Sequence, residues 1–174
     1  MIRFPGVWRA AAALGQRRLS PRSRLRRAFI RRSVVSGWDA ASRRDFKLMQ
    51  VRYAPDVQIE YDPEFAALGL GGTFRGHDGQ ISMVDALNDA WEHWTLAATI
   101  VLDLGDRILV LGTVRLPGNM SGLTLDHAQA QLMTVRGGLV THEQFFFGWD
   151  RGLRAAGLDP ETISLPSPDS AYQA

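Results

Sequence analysis

Cysteine is absent from this sequence of 174 residues, which excludes a disulfide, a thiol nucleophile and a cysteine-ligated metal site. Long hydrophobic runs are also absent, because no apolar segment approaches the ~20 residues of a membrane-spanning helix. The apolar patch at residues 10–14 is shorter than the core of a signal peptide, which needs ~7–15 apolar residues. We therefore expect a soluble, cytoplasmic protein.

Histidine is scarce, and its spacing is not that of a metal site. The four histidines, at positions 77, 93, 127 and 142, lie in separate segments without a His-x-x-x-His pair. The glycines near residue 70 are not followed by the Lys-Ser/Thr pair of a phosphate-binding loop. No Gly-x-Ser-x-Gly nucleophile elbow occurs either. We therefore expect neither a metal nor another cofactor.

Acidic residues are missing from the N-terminal segment. Residues 1–32 contain ten arginines and no acid, whereas the other 142 residues contain ten basic and eighteen acidic residues. Residues 1–19 are interpreted as an Arg-rich arm, either frayed or folded into a short amphipathic helix. Such an arm could contact nucleic acid or an anionic membrane. Nineteen of the twenty basic residues are arginine, however, which indicates a coding bias rather than selected phosphate contacts.

The first half of the chain has the pattern of helices packed on a core. Ser20-Pro21 is typical of a helix start, and we expect this helix to run to about Ser42. Asp45 is expected to cap a second helix, which Pro55 ends. Apolar residues at a spacing of three to four predict the buried face of the first helix: Ile30, Val34, Trp38 and Ala41. Arginines 26, 27, 31 and 32 are expected on its opposite side.

Alternation of apolar and polar residues predicts strands from the middle of the chain onward. A short strand is expected at 57–61, and the glycine-bearing loop at 62–72 is a candidate lid that leads towards a third helix. Further strands are expected at 96–104 and 107–116. The longest element is a hairpin at 127–150, which turns at the sequence Arg-Gly-Gly. This order predicts an α+β domain with helices on one face of an antiparallel sheet.

The end of the chain has a different composition. Residues 149–156 predict a short helix after the hairpin. Residues 159–174, with three prolines and several small polar residues, are expected to be a disordered C-terminal tail.

Six short segments, taken in order, resemble the SnoaL-like branch of the nuclear transport factor 2-like superfamily. They are Arg43-Arg44-Asp45-Phe46, Tyr53-Ala54-Pro55-Asp56-Val57, Phe74-Arg75-Gly76-His77-Asp78-Gly79, Gly105-Asp106-Arg107, Arg136-Gly137-Gly138 and Arg154-Ala155-Ala156-Gly157-Leu158. The resemblance covers residues 24–158 and rests on the order and spacing of the set rather than on any one segment.

The resemblance implies a cone-like α+β fold, in which a curved antiparallel sheet wraps around three helices and encloses an apolar pocket. It places a SnoaL-like domain at residues 20–158, between the arm and the tail, and it implies a homodimer. Such folds host isomerases, epoxide hydrolases, dehydratases, polyketide cyclases and proteins without a known reaction. The fold therefore does not determine the function.

The catalytic residues of two enzyme types with this fold are not retained. By the resemblance, the base, the oxyanion-binding tyrosine and the second acid of the ketosteroid isomerases fall at Tyr61, Gly37 and Gln131. The polyketide cyclase aspartate falls at Phe145, and its partner histidine falls near Gln131. Both reactions are therefore disfavoured.

Another set of polar residues is expected on the pocket side of the sheet. The same alignment with the family places eight residues there, six of them polar and two aromatic: Glu143, Phe145, Phe147, His127, Gln129, Gln131, Thr113 and Arg115. Glu143 would act as acid or base, with His127 as its partner and Arg115 as an electrostatic stabiliser. The expected substrate contacts are Trp38, Tyr61, Thr113, Gln129, Gln131, Phe145 and Phe147. A plain ion pair or hydrogen-bond network at the pocket mouth would explain the same polar residues without chemistry.

Three functions remain open from the sequence. The first is an enzyme that acts on a small apolar molecule by proton transfer without a cofactor, as an isomerase, hydrolase or dehydratase. The second is a non-catalytic binder of such a molecule. The third is an interaction module that uses the basic arm. His77 is expected to cap or pack, and His142 to face away from the pocket. A homodimer is expected through the face of the sheet that carries Phe146, which would otherwise be exposed.

Overall fold

The computed structural model describes residues 23–91, 93–117 and 124–165. Within them, four α-helices, one 3-10 helix and six β-strands follow one another along the chain. They are α1 (Arg24–Ser42), α2 (Phe46–Gln50), β1 (Tyr53–Tyr61), the 3-10 helix (Pro63–Leu68), β2 (Thr73–Arg75), α3 (Gly76–Ala90), β3 (Thr95–Asp103), β4 (Arg107–Pro117), β5 (Thr124–Arg136), β6 (Leu139–Phe147) and α4 (Trp149–Ala155).

The six strands form one sheet in the order β2-β1-β6-β5-β4-β3. Neighbouring strands are antiparallel except for β1 and β6, which are parallel, so the sheet is mixed. The inner face of the sheet packs against α1, α2 and α3 and holds the larger core. The outer face packs against α4. This arrangement confirms the predicted α+β fold with three helices on one face of the sheet. The sheet is mixed rather than antiparallel throughout, because the unpredicted pairing of β1 with β6 is parallel.

Helix α1 has the predicted apolar face, with Ile30, Val34 and Trp38 buried. It begins at Arg24, where the side chain of Ser23 accepts a hydrogen bond from the backbone N–H of Arg26 at 3.4 Å. The predicted start at residues 20 and 21 lies outside the described residues, as does the Arg-rich arm. The side chain of Arg26 is buried, although the sequence pattern predicted it on the polar side of the helix.

A buried ion pair joins α1 to the end of β3. Nε of Arg26 lies 2.6 Å from Oδ2 of Asp103, and Nη2 donates to Oδ1 at 2.8 Å and to the carbonyl oxygen of Gly105 at 2.6 Å. The side chains of Arg26 and Asp103 are 4% and 3% exposed. Each of these buried charges would be unfavourable without the other. The bidentate contact therefore holds the start of α1 against the β3–β4 turn.

Strand β1 begins four residues earlier than predicted. The second helix ends at Gln50, so Pro55 does not end it and instead lies inside β1. The pairing of β1 with β6 shifts between Tyr53 and Gln58, and such an irregularity accommodates a proline that cannot donate a ladder hydrogen bond. Tyr53, which the predicted second helix would have included, is therefore a strand residue. Strand β2, with only three residues, was not predicted at all.

The predicted lid loop at 62–72 contains the 3-10 helix. Asp62 caps this helix by accepting a hydrogen bond from the backbone N–H of Glu64 at 3.1 Å. Phe65 and Leu70 are 2% and 5% exposed and pack into the inner core. Arg151 of α4 lies 3.0 Å from Asp62, which ties the loop to the C-terminal helix.

The outer face of the sheet is covered in part by the chain itself. Trp149 and Leu153 of α4 pack on it, and Phe146 is partly buried against the same cluster. Ile163 and Leu165, which fall in the predicted disordered tail, also contact this cluster. Covering Phe146 does not require a second subunit, so the homodimer stays a prediction. None of the helices in the described ranges is long and apolar enough to cross a membrane.

The ion pair of Arg26 is testable by truncation. We expect Arg26→Ala to lower the free energy of unfolding by about 3–5 kcal/mol, because it leaves Asp103 buried without its partner. Urea unfolding monitored by tryptophan fluorescence measures the change. Arg27→Ala is the matched control, since the Arg27 side chain is exposed, and should stay within about 0.5 kcal/mol of the parent. Equal unfolding midpoints for the two variants would contradict the assigned role.

Candidate functional site

A cavity of about 360 Å³ lies between the helices and the inner face of the sheet. Most of its wall is apolar, and both the helices and the sheet contribute to it, for example Ile30 of α1, Val84 of α3 and Met133 of β5. A cavity of this size lies at the lower end of the ~300–1,000 Å³ typical of small-molecule sites. The predicted pocket therefore exists, and its few polar side chains determine what it can do.

The carboxyl of Glu143 is the most deeply buried charge-bearing group of the wall. Glu143 is 0% exposed and lies on β6, opposite Met133 of β5. The hydroxyl of Tyr53 donates to its two oxygens at 3.1 and 3.0 Å, and Nε2 of Gln131 donates to Oε1. Oε1 of Gln131 in turn accepts a hydrogen bond from Nε1 of Trp38 at 2.8 Å. These four side chains form what we call the Glu143 network.

Burial determines the protonation of this carboxyl. Removal from water raises the pKa of Glu143 from 4.5 to about 7, although the hydrogen bonds from Tyr53 and Gln131 act in the opposite direction. The pKa of Tyr53 is raised well above 10.0, mainly by burial and then by the neighbouring Glu143. Tyr53 therefore stays protonated and remains a donor. Glu143 can hold or release a proton near neutral pH, which suits acid–base chemistry.

The predicted positions of Arg115 and Thr113 are wrong. Arg115 pairs with Asp126 at 2.8 Å, and the two side chains are 44% and 38% exposed. The wall of the cavity is formed instead by Val114 and Leu116 of the same strand. Because strand faces alternate, Thr113 and Arg115 point to the outer face, and the predicted registration of β4 was one residue out of phase. No arginine or lysine of the described residues forms an ion pair with Glu143.

His127 and Phe147 lie on the inner face but do not line the cavity. Their ring centroids are 3.6 Å apart, and the two ring planes are inclined by 30°. The ring centroids of Phe147 and Phe65 are 5.4 Å apart. Burial lowers the pKa of His127. The pair therefore forms an aromatic cluster beneath the 3-10 helix, and the predicted contact between His127 and Glu143 does not occur.

The other predicted contacts do line the cavity. They are Trp38, Tyr61, Gln129, Gln131 and Phe145. The rings of Tyr61 and Phe145 are stacked at 4.7 Å, and burial raises the pKa of Tyr61. Gly37, which by the resemblance matches the oxyanion-binding tyrosine of the ketosteroid isomerases, lines the cavity as well.

Tyr53 and Arg52 are among the wall residues that were missed from the sequence. Tyr53 has an odd number, like the inward-facing residues Val57 and Ile59, and this alternation could have placed it on the inner face. Pro55 instead indicated the end of a helix, so the alternation was not extended to Tyr53. Arg52 is 7% exposed, and its Nη2 donates to Oγ of Ser36 at 2.8 Å. No pattern in the sequence distinguishes Arg52 from the exposed arginines.

The remaining histidines follow the sequence-based expectations where the structure describes them. Nε2 of His77 donates a hydrogen bond to the carbonyl oxygen of Tyr53 at 3.2 Å, so this histidine packs the start of α3 against β1. His142 lies on the outer face, 3.2 Å from Glu60. In the described ranges, no three His, Asp or Glu side chains are grouped so that they could hold a metal ion.

No protein-family model matches the chain, and neither does any curated protein. Three solved structures represent its structural neighbours. TerC, co-crystallized with polyporic acid, has 24% identity over 67% of this chain and 88% of its own, with a TM-score of 0.60. A nuclear transport factor 2-like protein of unknown function from Burkholderia pseudomallei has 26% identity over 71% of this chain and 93% of its own, with a TM-score of 0.60. A protein assigned as a SnoaL-like polyketide cyclase, from Shewanella putrefaciens, has 14% identity over 67% and 87%, with a TM-score of 0.53.

These likenesses establish the fold. The structural neighbours are nuclear transport factor 2-like and SnoaL-like proteins, so the chain has the nuclear transport factor 2-like cone fold, as the sequence resemblance implied. At such low identities the likeness does not extend to a reaction, which must be argued from the site itself.

The raised pKa of Glu143 predicts a pH-dependent stability. Between pH 4.5 and about 7 the folded state holds a proton that the unfolded state has released, so the free energy of unfolding falls as the pH rises. The full contribution is present below pH 4.5, and its loss, on the order of 3 kcal/mol, is complete above the folded pKa. Urea unfolding across this range should show the decline for the parent and for Glu161→Gln, an exposed control. Glu143→Gln should remove that part of the decline, and identical profiles for both variants would contradict the assignment.

Removing the tyrosine donor should shift the same transition. In Tyr53→Phe the carboxylate loses one hydrogen bond, so we expect the pKa of Glu143 to rise further and the pH dependence of stability to extend to higher pH. The carboxyl C=O band of protonated Glu143 in infrared spectra gives an independent measurement. Tyr61→Phe is the matched control, because the hydroxyl of Tyr61 does not hydrogen-bond to Glu143. A transition at lower pH in Tyr53→Phe would contradict this role.

Proposed function

We propose that this protein binds a small, mostly apolar molecule in its cavity and catalyses a cofactor-independent proton transfer on it, with Glu143 as acid or base. The observation that carries the proposal is a fully buried carboxyl on an apolar cavity wall, with a pKa near neutral. A group that titrates near the working pH transfers protons most effectively. TerC, of the same fold, was co-crystallized with polyporic acid, which supports a small organic ligand here.

The chemistry that suits this site is proton transfer at one wall of an apolar pocket. Ionised Glu143 would take a proton from a carbon next to a carbonyl, as in an isomerisation. In a dehydration, protonated Glu143 would give its proton to the hydroxyl that leaves as water, and the carboxylate so formed would take the proton of the adjacent carbon as the double bond forms. In an epoxide hydrolysis, Glu143 would protonate the ring oxygen while a water molecule attacks the ring carbon and breaks the C–O bond, and the surplus proton of that water would return to the carboxylate. Tyr53 and Gln131 hold the carboxyl in place, and Trp38 positions Gln131 through its indole N–H. Trp38 and Gln131 are thus positioning residues in this scheme.

A non-catalytic binding protein is the second candidate, and one feature of the site favours it. Both oxygens of Glu143 already accept hydrogen bonds from the protein. A carboxyl satisfied in this way can simply support the wall between α1 and the sheet. In that case the protein would hold the same class of ligand without changing it. An interaction role for the Arg-rich arm concerns residues outside the described ranges and stays a hypothesis.

Deuterium exchange distinguishes the catalyst from the binder. We expect the parent protein to exchange the acidic C–H hydrogens of some member of a panel of apolar cyclic ketones in D₂O. Glu143→Gln should lose at least 100-fold of that rate, in the range typical of a missing acid or base. Mass spectrometry of the ketones measures the incorporated deuterium.

Glu161→Gln serves as the control with an exposed carboxyl, and titration of tryptophan fluorescence shows which ketones bind. If at least one ketone binds tightly to the parent but no ketone of the panel exchanges faster than it does in buffer, the result favours the binding protein over the enzyme.

A further inference from the structure

A second polar side chain of the cavity wall, that of Gln129, has a donor without a partner among the described residues. Gln129 lies on β5, is 4% exposed and lines the cavity. Its amide nitrogen is buried and makes no hydrogen bond within the described residues. An unsatisfied buried donor is unfavourable by about 1–3 kcal/mol, so a residue of this kind needs a functional explanation.

The neighbouring glutamine shows the contrast. Gln131 has the same side chain on the same face of the same strand, and both ends of its amide are used, by Trp38 and by Glu143. Gln129 is opposite Phe147 on β6 and Gly112 on β4, neither of which offers a side-chain acceptor. Because Gln129 lines the cavity, a ligand bound there is the group that can supply the missing acceptor, once the amide turns towards it.

The strand sets the distance between the two polar points of the wall. Residues two apart on a strand share a face and are separated by roughly 7 Å, at ~3.3–3.4 Å per residue. Glu143 is opposite Met133, which is four residues from Gln129 on the same strand, or roughly 13 Å at this rise per residue. Its carboxyl is hydrogen-bonded to Gln131, which lies between the two. Gln129 and the carboxyl are therefore roughly 7 to 13 Å apart along the strand, a span that two fused rings with an oxygen at each end can bridge.

We propose that Gln129 is a specificity-determining residue that donates a hydrogen bond to a carbonyl or hydroxyl oxygen of the ligand, at the opposite end of a rigid apolar skeleton from the group that faces Glu143. This inference rests on the proposed small-molecule cavity and narrows its ligand class. The ligand is a neutral fused-ring compound of about two rings with oxygen functions at both ends. A hydrocarbon, or a compound oxygenated at one end only, leaves one of the two polar groups unsatisfied.

A matched pair of fluorescent probes tests the assignment. In 2,6-dihydroxynaphthalene oxygens occupy both ends of a rigid two-ring skeleton, whereas 2-naphthol has only one. The parent protein should bind the diol about 3- to 10-fold more tightly than the mono-ol, the usual effect of one additional hydrogen bond. Gln129→Met keeps the shape of the side chain without its amide, and it should bind both probes with equal affinity. Gln144→Met, on the outer face of β6, is the control and should discriminate as the parent does.

The ligand-free variants provide a second readout. Because Gln129→Met removes an unsatisfied donor, its melting temperature should equal or exceed that of the parent. A lower melting temperature would show that the amide has a structural partner and would overturn the proposal. Unchanged discrimination in Gln129→Met, or binding of neither probe to the folded parent, would overturn it as well. Failure of deuterium exchange with probe selectivity intact would instead refute proton transfer and leave the Gln129 contact standing.

Discussion

The site depends on a carboxyl that is buried in an apolar wall and satisfied by groups from distant parts of the chain. Tyr53 is 90 residues away from Glu143, and Trp38 is 93 residues away from Gln131. These hydrogen bonds form only when α1, β1, β5 and β6 are all in place. A polar group this deep is unfavourable without its partners, so the network and the packing of α1 on the sheet stabilise each other. The ion pair of Arg26 with Asp103 fixes the other end of the same helix.

The chemistry of Glu143 follows from which groups are near it and which are not. Two neutral donors lower its pKa less than burial raises it, and the result is a value of about 7. An adjacent guanidinium would have reversed the balance and kept the carboxylate charged. That was the predicted role of Arg115, whose place on the inner face is taken by Val114. If β4 were shifted by one residue, Arg115 would lie on the inner face, and the carboxyl of Glu143 would stay ionised. With Val114 in that place, the carboxyl can exchange a proton.

The sequence could predict the fold and three of the four residues of the Glu143 network, because the helix and the strands that carry them have a visible apolar periodicity. In β6 the polar residues His142 and Gln144 flank Glu143 and Phe145, and the two faces can be told apart. In β4 they cannot, since positions 108–111 are apolar on both faces: the inner face meets α1 and the cavity, and the outer face meets α4. Tyr53 was lost for another reason, because a proline inside a strand has the same local signature as a helix terminus. Hydrogen-bond satisfaction, which separates Gln129 from Gln131, depends on contacts across the fold and leaves no local pattern.

The same balance indicates how a ligand would set the direction of proton transfer. A purely apolar molecule in the cavity brings no hydrogen-bond donor to Glu143, so burial continues to favour the protonated carboxyl, which is the form that acts as an acid. A ligand that places a hydroxyl against the carboxylate adds a donor to those of Tyr53 and Gln131, which favours the ionised form and hence a base. The polar end of the ligand, rather than the protein alone, therefore selects between the two roles. This is why the orientation of an asymmetric molecule between Gln129 and Glu143 matters for the reaction: reversing it exchanges the group that meets the carboxyl.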